Sequence, residues 1–453
     1  MKICKRLFVV AFAVLFTANL AFAQKAAQIK YEQYVLPNGL KVVLHQDKSD
    51  PIVSLAITYH VGSSREKAGK TGFAHFFEHM LFQRSEHLPR NAFFQKISAL
   101  GGTFNGGTMQ DGTIYFETVP RDALEKILWM ESDRMGFFIN TVTQSGLERE
   151  IDIVSNEKRQ GVDTQPYGYT DEIISRELYP AGHPYSWTVI GQLADLRAAT
   201  LQDVKDFYST YYIPQNATLV LTGDFEMPVA KTLIENYFGE IKPGKDLPKT
   251  EPENAVLAET KKLVFEDSYA QLPAITVVYP TVESYNKDEN AIDMFMSLFA
   301  SGKTSPLYKV IVEEKKLAAN VRGYNSSQEI AGSTEISITP FEGKTLDEVN
   351  NAIQEAFARF EKDGIDVTEM EKLKIKQETT LYSQMASSMN KAMLLGMGNE
   401  FGGKPDIFLQ EMEIYKKLTK ADIMRVYEQY FKGKPSLILS VVPKGKQNLA
   451  VAN

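Results

Sequence analysis

The stretch of sequence that decides the fold runs Gly72-Phe73-Ala74-His75-Phe76-Phe77-Glu78-His79-Met80-Leu81-Phe82. At 100° per residue on a helix, His75 and His79 lie four positions apart, one turn along the same face. Glu78 lies on the flank of that face. The apolar residues gather on the opposite side: Phe73, Phe77, Met80 and Leu81. The stretch therefore predicts a helix that packs into a core on one side and presents two imidazoles and a carboxylate on the other.

The histidine face has the ligand spacing of a zinc site. Two imidazoles one turn apart can take neighbouring positions on one tetrahedral zinc ion, and a carboxylate beside them can take a proton from water. The order His-x-x-Glu-His is the inverted zinc-peptidase signature, typical of metal-assisted hydrolysis. The alternative is that both histidines are ordinary helix residues, because short patterns recur by chance. Only six histidines occur in the chain, and two stand here in the required order, which favours zinc.

A later helix, predicted over residues 144–161, offers a third ligand. Glu150 and Glu157 lie seven residues apart, nearly superposed on one edge of the apolar stripe of this helix. Unpaired buried carboxylates are costly, so the pair needs a partner. A zinc ion with an open coordination position is such a partner. A pair of salt bridges at the rim of the core is the alternative.

The first 23 residues read as a cleaved secretory signal peptide. Lys2, Lys5 and Arg6 precede an apolar run over residues 7–20, and Ala21-Phe22-Ala23 is a small-x-small cleavage site. A retained membrane anchor is the alternative. No later stretch approaches the roughly 20 apolar residues that a span requires, so we expect no span in the mature chain. The signal indicates a bacterial envelope and a periplasmic location.

Composition restricts the metal ligands and the partners. The only cysteine, Cys4, lies in the signal, so the mature chain has no disulfide and no thiolate ligand. Histidines and carboxylates must hold any metal. Cleavage removes three positive residues and takes the formal net charge from −7 to −10. The charges are spread without a basic block, so nucleic-acid binding is not expected.

The strand and helix patterns indicate an α+β chain. Residues 33–45 predict two strands around a Pro-Asn-Gly turn, and residues 52–60 and 113–119 predict two more. Helices are predicted over residues 92–100 and 121–137, in addition to the histidine helix.

The chain reads as a duplicated unit of about 200 residues, within the usual domain range. Residues 200–212 match residues 419–431 at a constant offset of 219, and each copy opens with a Thr-x-x-Asp capping box. Residues 243–262 are a proline-containing linker without apolar periodicity. We therefore predict an N-terminal zinc-binding domain over residues 24–242 and a homologous domain over residues 263–453 without the histidine pair.

These residues together resemble the insulinase/pitrilysin family of zinc metallopeptidases, particularly its two-domain bacterial and mitochondrial-processing-peptidase-like members. The resemblance covers nearly all of the mature chain. It implies two homologous domains, each a mainly antiparallel sheet flanked by helices, that form half of a clamshell. It also implies that His75, His79 and Glu157 hold one Zn²⁺ per chain, with Glu78 as the general base and Glu150 as a supporting carboxylate.

Residues 101–106 resemble the family segment that precedes the substrate-pairing strand. This resemblance implies that Asn105 and Gly106 hold the peptide backbone. A plain Asn-Gly turn is the alternative. We expect the substrate to lie as an added strand against an edge formed by residues 113–119.

One segment departs from the family pattern. Family members with a complete site carry Arg and Tyr seven residues apart, and residues 311–319 have Val312 and Ala319 at those positions. The resemblance implies that the missing pair grips the scissile carbonyl, and losing an oxyanion donor typically costs about 10²–10³ in rate. Arg322 and Tyr324 are near, but their spacing differs.

We therefore predict a zinc endopeptidase for short or unfolded peptides that is the zinc-bearing subunit of a heterodimer, whose partner supplies Arg and Tyr. A self-sufficient homodimeric peptidase is one alternative. A non-catalytic core or assembly subunit of the same fold is another.

Overall fold

The computed structural model describes residues 28–247 and 250–452. The predicted signal peptide lies outside these residues. Within them, we find no helix with the length and apolar character needed to cross a membrane.

The first half of the chain forms a six-stranded sheet in the order β1-β2-β6-β3-β5-β4. The β2–β6 pair is parallel, and the other neighbours are antiparallel. The strands are β1 (Glu32–Val35), β2 (Lys41–Gln46), β3 (Ile52–Tyr59), β4 (Thr103–Thr108), β5 (Thr113–Pro120) and β6 (Ala217–Gly223). The helices are α1 (Phe73–Gln83), α2 (Ala92–Ala99), α3 (Leu124–Phe137), α4 (Gln144–Lys158), α5 (Thr170–Leu178), α6 (Leu193–Ala198), α7 (Leu201–Tyr211) and α8 (Met227–Phe238).

The second half repeats this plan with a five-stranded sheet in the order β7-β11-β8-β10-β9. Its β7–β11 pair is again the parallel one. The strands are β7 (Lys261–Asp267), β8 (Ala274–Thr281), β9 (Arg322–Ser327), β10 (Gly332–Ile338) and β11 (Leu437–Pro443). The helices are α9 (Glu289–Ala300), α10 (Pro306–Tyr308), α11 (Leu346–Asp363), α12 (Val367–Ala386), α13 (Ser388–Phe401), α14 (Ile407–Lys417) and α15 (Lys420–Tyr430). The predicted α+β class, with two mainly antiparallel sheets flanked by helices, is confirmed.

The prediction that residues 113–119 form the edge of the sheet is wrong. Strand β5 lies inside the sheet, between β3 and β4, and β4 is the edge. Sequence patterns favoured residues 113–119 because β4 contains Gly106 and Gly107, which are poor strand formers. The structure places Asn105 and Gly106 in this edge strand, so the alternative of a plain turn is also wrong.

Each half places one helix on the sheet of the other half. Helix α13 of the second half packs on β3 and β6, and Glu400 near its end accepts hydrogen bonds from Lys41 (2.8 Å) and Thr218 (2.6 Å). Helix α5 of the first half packs on β11, and its Ile173, Ile174 and Leu178 join a buried cluster with residues of the second sheet. We call this arrangement the helix exchange.

Candidate metal centre

Helix α1 begins at a tightly fixed point. Gly72 precedes the helix with φ of +87°, a conformation that favours glycine. The carboxylate of Glu66 accepts hydrogen bonds from the backbone N–H groups of Gly72 and Ala74, both at 2.8 Å. Burial raises the pKa of Glu66 to about 8, although these N–H donors oppose the shift. Glu66 therefore fixes the direction of α1, and sequence analysis missed it because it lies in the preceding loop.

The two faces of α1 differ as the helical spacing predicted. Phe73, Phe77, Met80 and Leu81 are buried in the core of the first half. The side chains of His75 and His79 are 12% and 24% exposed. Their rings lie at right angles with centroids 4.8 Å apart. The helix therefore presents both imidazoles, partly exposed, on the face opposite the core.

Glu157 of α4 comes to the same point. Its carboxylate oxygens lie 3.6 Å from His75 Nε2 and 3.2 Å from His79 Nε2. One ligand atom from each residue lies within 4.8 Å of the others, and across residues 28–247 and 250–452 no other His, Cys, Asp and Glu set of three converges in this way. Two imidazole nitrogens and one carboxylate oxygen are a donor set that zinc accepts with a fourth position open. These residues fit the expected metal.

The environment of His75 favours a neutral ring. Burial lowers the pKa of His75, and the neighbouring His79 lowers it further. Metal binding requires an unprotonated imidazole nitrogen. Its Nδ1 is buried and has no hydrogen-bond partner among the described residues.

Glu78 faces the edge strand. Thr108, the last residue of β4, donates a hydrogen bond from Oγ1 to Glu78 Oε2 at 2.7 Å. This contact leaves the second carboxylate oxygen as a proton acceptor. Sequence analysis missed Thr108, although Phe104, Gly106 and Thr108 alternate along one face of β4.

Glu150 lies on the same helix as Glu157 but in a different environment. It is 3% exposed, whereas the Glu157 side chain is 47% exposed. Burial raises the pKa of Glu150, and the nearby His79 opposes the shift. Its Oε2 has no hydrogen-bond partner among the described residues. The predicted stacking on one half-buried edge therefore holds for Glu150 and not for Glu157.

Asn105 and Gly106 lie at the open side of the first sheet. Asn105 is exposed, and its Oδ1 accepts a hydrogen bond from the N–H of Gly106 at 2.9 Å. A Cβ at Gly106 would lie 2.8 Å from the ring of Phe82, so glycine at this position lets that ring pack against β4 without being displaced.

The positions expected to lack Arg and Tyr carry no polar side chain. Val312 is half-buried in a π-helical turn, Lys309–Glu314, and Ala319 is exposed. Arg322 and Tyr324 lie two residues apart on β9, with the guanidinium 5.1 Å from the ring centroid. Tyr324 also lines a cavity of about 390 Å³ between the two halves.

The His-x-x-Glu-His order on a helix beside the edge strand of an α+β sheet is typical of the class of inverted-motif metallopeptidases. The family model described as insulinase (peptidase family M16) matches residues 41–182, and the model described as the peptidase M16 inactive domain matches residues 198–377. The chain belongs to this insulinase family of metallopeptidases.

Similar proteins span nearly the whole chain. The zinc protease PqqE of Helicobacter pylori is 27% identical, over 97% of this chain and 99% of its own. The uncharacterized zinc protease YmxG of Bacillus subtilis is 23% identical, over 87% and 93%. The crystal structure of a protease from H. pylori has a TM-score of 0.83 at 26% identity and covers 92% of this chain and 100% of that one. The first half of the periplasmic protease PqqL from Escherichia coli, at 18% identity, shares the fold, with a TM-score of 0.76 over 94% of this chain and 95% of that one.

Proposed function

We propose that this chain is a zinc-dependent endopeptidase for short or unfolded peptides. The observation that carries the proposal is the convergence of His75, His79 and Glu157 from two helices, with Glu78 beside them. These three side chains would hold one zinc ion per chain. The zinc protease names of the relatives support this choice of metal.

Glu78 acts as the general base and acid. Zinc bound at this centre would lower the pKa of a coordinated water and polarise the scissile carbonyl. Glu78 takes a proton from the attacking water and passes it to the nitrogen of the leaving amine as the C–N bond breaks. Glu150, buried near His79, stabilises the position of that imidazole electrostatically.

The peptide lies along β4. This strand is the open edge of the first sheet, and an extended peptide can pair with its free backbone groups. Asn105 and Gly106 lie at the middle of the edge, where they would hold the peptide backbone. An added strand suits a short or unfolded peptide, because a folded protein does not offer an extended backbone.

Substitution of Glu78 tests the base. Glu78→Gln is expected to retain one zinc ion per chain, measured by elemental analysis, and to lose hydrolysis of a quenched fluorescent peptide of unfolded sequence. The matched control is Glu148→Gln, an exposed glutamate on the helix that carries Glu157. Full hydrolysis by Glu78→Gln would show that the base is assigned wrongly. A wild-type chain that binds no zinc would remove the metal proposal.

We further propose that a related second subunit supplies Arg and Tyr, since Val312 and Ala319 cannot donate hydrogen bonds to an oxyanion. Peptide hydrolysis by this chain alone should then rise roughly 10²-fold when a related chain with Arg and Tyr seven residues apart is added. A full rate without that chain would favour the homodimeric alternative. Zinc binding without hydrolysis in either case would favour a non-catalytic subunit.

We propose the periplasm as the location. The apolar N-terminal pattern and the likeness to the fold of a periplasmic protease support this proposal. Cell fractionation that finds the mature chain in the cytoplasm would contradict it.

A further inference from the structure

We infer that Thr108 is a positioning residue for Glu78 and that the second half of the chain holds Thr108 in place. The inference rests on the proposed function. A carboxylate can rotate, and only some orientations direct an oxygen toward the attacking water. The 2.7 Å hydrogen bond from Thr108 fixes one oxygen of Glu78 and so determines where the other points.

The turn after Thr108 is held by the loop before α1. Thr108 pairs with Thr113 across residues 109–112. The backbone N–H of Ser64 donates to the carbonyl of Gln110 at 2.7 Å. A Cβ at Gly62 would lie 2.2 Å from the carbonyl oxygen of Met109, so loop and turn are in close contact. Backbone contacts within the first half, between this loop and this turn, therefore help to fix the position of Thr108.

The same turn is held from its other side by Tyr185 of the first half together with the β9–β10 turn of the second half. The hydroxyl of Tyr185 lies 2.8 and 2.7 Å from the two oxygens of Asp111 in this turn. Backbone N–H groups of the β9–β10 turn complete the contact: Glu329 donates to Asp111 at 3.0 Å, and Ile330 donates to the Tyr185 hydroxyl at 2.9 Å. We call Asp111, Tyr185, Glu329 and Ile330 the turn clasp.

The turn clasp is a largely buried set of hydrogen bonds. Asp111, Tyr185 and Ile330 are 7%, 1% and 1% exposed. A buried carboxylate without its donors would be costly, so Asp111 keeps the two turns together. The β9–β10 turn therefore acts on Glu78 through Asp111, β4 and Thr108.

A purely structural role is the competing explanation. In the second half, Asn325 of β9 donates to Asp293 of α9 at 2.8 Å, and α9 carries no histidine. The bond from edge strand to helix thus also occurs without a metal centre. The test must therefore separate orientation of Glu78 from stability of the sheet.

The first measurement uses two substitutions at Thr108. Thr108→Val keeps the shape and removes the donor, and Thr108→Ser keeps the donor. We expect Thr108→Val to lower kcat roughly 10²-fold, as expected when a reacting group is displaced by about 1 Å, with KM and zinc content unchanged. Thr108→Ser should restore most of kcat. A kcat for Thr108→Val within twofold of wild type, or an equal loss in Thr108→Ser, would overturn the inference.

The second measurement tests the turn clasp. Tyr185→Phe should lower kcat less than Thr108→Val, and the double variant should match Thr108→Val alone, because both act through Glu78. The matched control is Tyr31→Phe, which removes another hydrogen bond between distant segments, from Tyr31 to Asp406 at 3.1 Å. The control should keep wild-type kcat. If the two losses of kcat multiply in the double variant, the substitutions act independently, and the turn clasp does not act through Thr108.

A readout without turnover separates the inference from the proposed function. In crystal structures of the zinc-loaded chain, the Glu78 carboxylate should be rotated in Thr108→Val relative to wild type, while His75, His79 and Glu157 superpose. Identical Glu78 carboxylates would overturn the inference. A wild-type chain that hydrolyses no peptide would overturn the proposed function, and the comparison of Glu78 orientations would still decide the role of Thr108.

Discussion

The two halves of the molecule place a helix against the edge strand in the same way, but among the described residues only the helix of the first half carries candidate metal ligands. Helix α1 lies between β3 and β4 in the chain, and α9 lies between β8 and β9. In each half the edge strand donates a hydrogen bond to a carboxylate of that helix, Thr108 to Glu78 and Asn325 to Asp293. The hydrogen bond from edge strand to helix is therefore common to both halves, whereas the two imidazoles occur only on the helix of the first half.

Alignment of Glu78 with Asp293 shows what differs. Asn290 then corresponds to His75, and Met294 corresponds to His79. Asn290 donates to Glu411 at 2.6 Å, and Met294 is fully buried. On this helix, two side chains distinguish the candidate metal centre from a packed helix, and Glu157 of α4 completes the candidate centre.

Alanine substitutions at the aligned positions 79 and 294 should give the largest contrast. His79→Ala removes a proposed ligand, so we expect this variant to bind no zinc and to hydrolyse no peptide. Met294→Ala should keep zinc and lower the free energy of unfolding by about 2–5 kcal/mol, because it leaves a cavity in a core. Elemental analysis and urea unfolding measure the two effects. Stoichiometric zinc in His79→Ala would break the comparison.

The helix exchange should make the two halves unfold together. Ile174→Ala on α5 leaves a cavity under the second sheet and should cost about 2–5 kcal/mol. Gly396→Val on α13 places a Cβ 2.9 Å from Thr58 Oγ1 under the first sheet and should cost about 1–3 kcal/mol.

Each of these two variants should shift one common unfolding transition, followed by circular dichroism and tryptophan fluorescence. Two separated transitions, of which only one moves, would show that the halves are independent.

A pH-dependent contribution is expected where the halves meet at His60. Burial disfavours the charged ring, but hydrogen bonds to Glu329 and Glu400 outweigh it and raise the pKa of His60 to about 8, with Arg65 opposing. Because the folded pKa is raised, the stabilisation is complete below about pH 6.5 and is lost as the pH rises through about 8. It should amount to on the order of 1–2 kcal/mol.

Chemical unfolding between pH 6 and 9 measures this contribution as the difference between wild type and His60→Gln. A difference that stays constant over this range would exclude His60 as its source.

The capping boxes should give the smallest and most nearly equal effects. Thr200 accepts from the N–H of Asp203, and Thr419 accepts from the N–H of Asp422, with the reciprocal bond present in both. Thr200→Ala and Thr419→Ala should each lower the free energy of unfolding by about 1 kcal/mol. Values that differ by more than about 1 kcal/mol would show that these repeated segments have different surroundings.

Local patterns predicted much of the fold. The 3.6-residue period placed α1 and its two faces, the strand-forming residues 52–60 placed β3, and the Thr-x-x-Asp spacing placed the starts of α7 and α15. Helical spacing also selected His75 and His79, and it left Glu150 and Glu157 as candidates for the third position, of which the family resemblance implied Glu157. Such features depend on residues close together in the chain, which is why the sequence alone reveals them.

Features that depend on distant contacts were not predictable in this way. Strand β4 pairs with β5 despite Gly106 and Gly107, and the ring of Phe82 packs over Gly106. The amphipathic pattern of α5 is consistent with one buried face but does not show which sheet covers it, and the buried face of α13 includes the polar residues Lys391, Asn399 and Glu400. The contact of Asp111 with Tyr185 joins positions 74 residues apart.

The helix exchange has a consequence for how the chain can be divided. The described residues between Lys242 and Thr260 form neither helix nor strand, so a protease could nick the chain there. The fragments would remain associated, because each fragment keeps one helix packed on the sheet of the other fragment. Expressed apart, each fragment would carry an uncovered apolar surface and tend to aggregate, whereas co-expression should reconstitute the molecule by complementation.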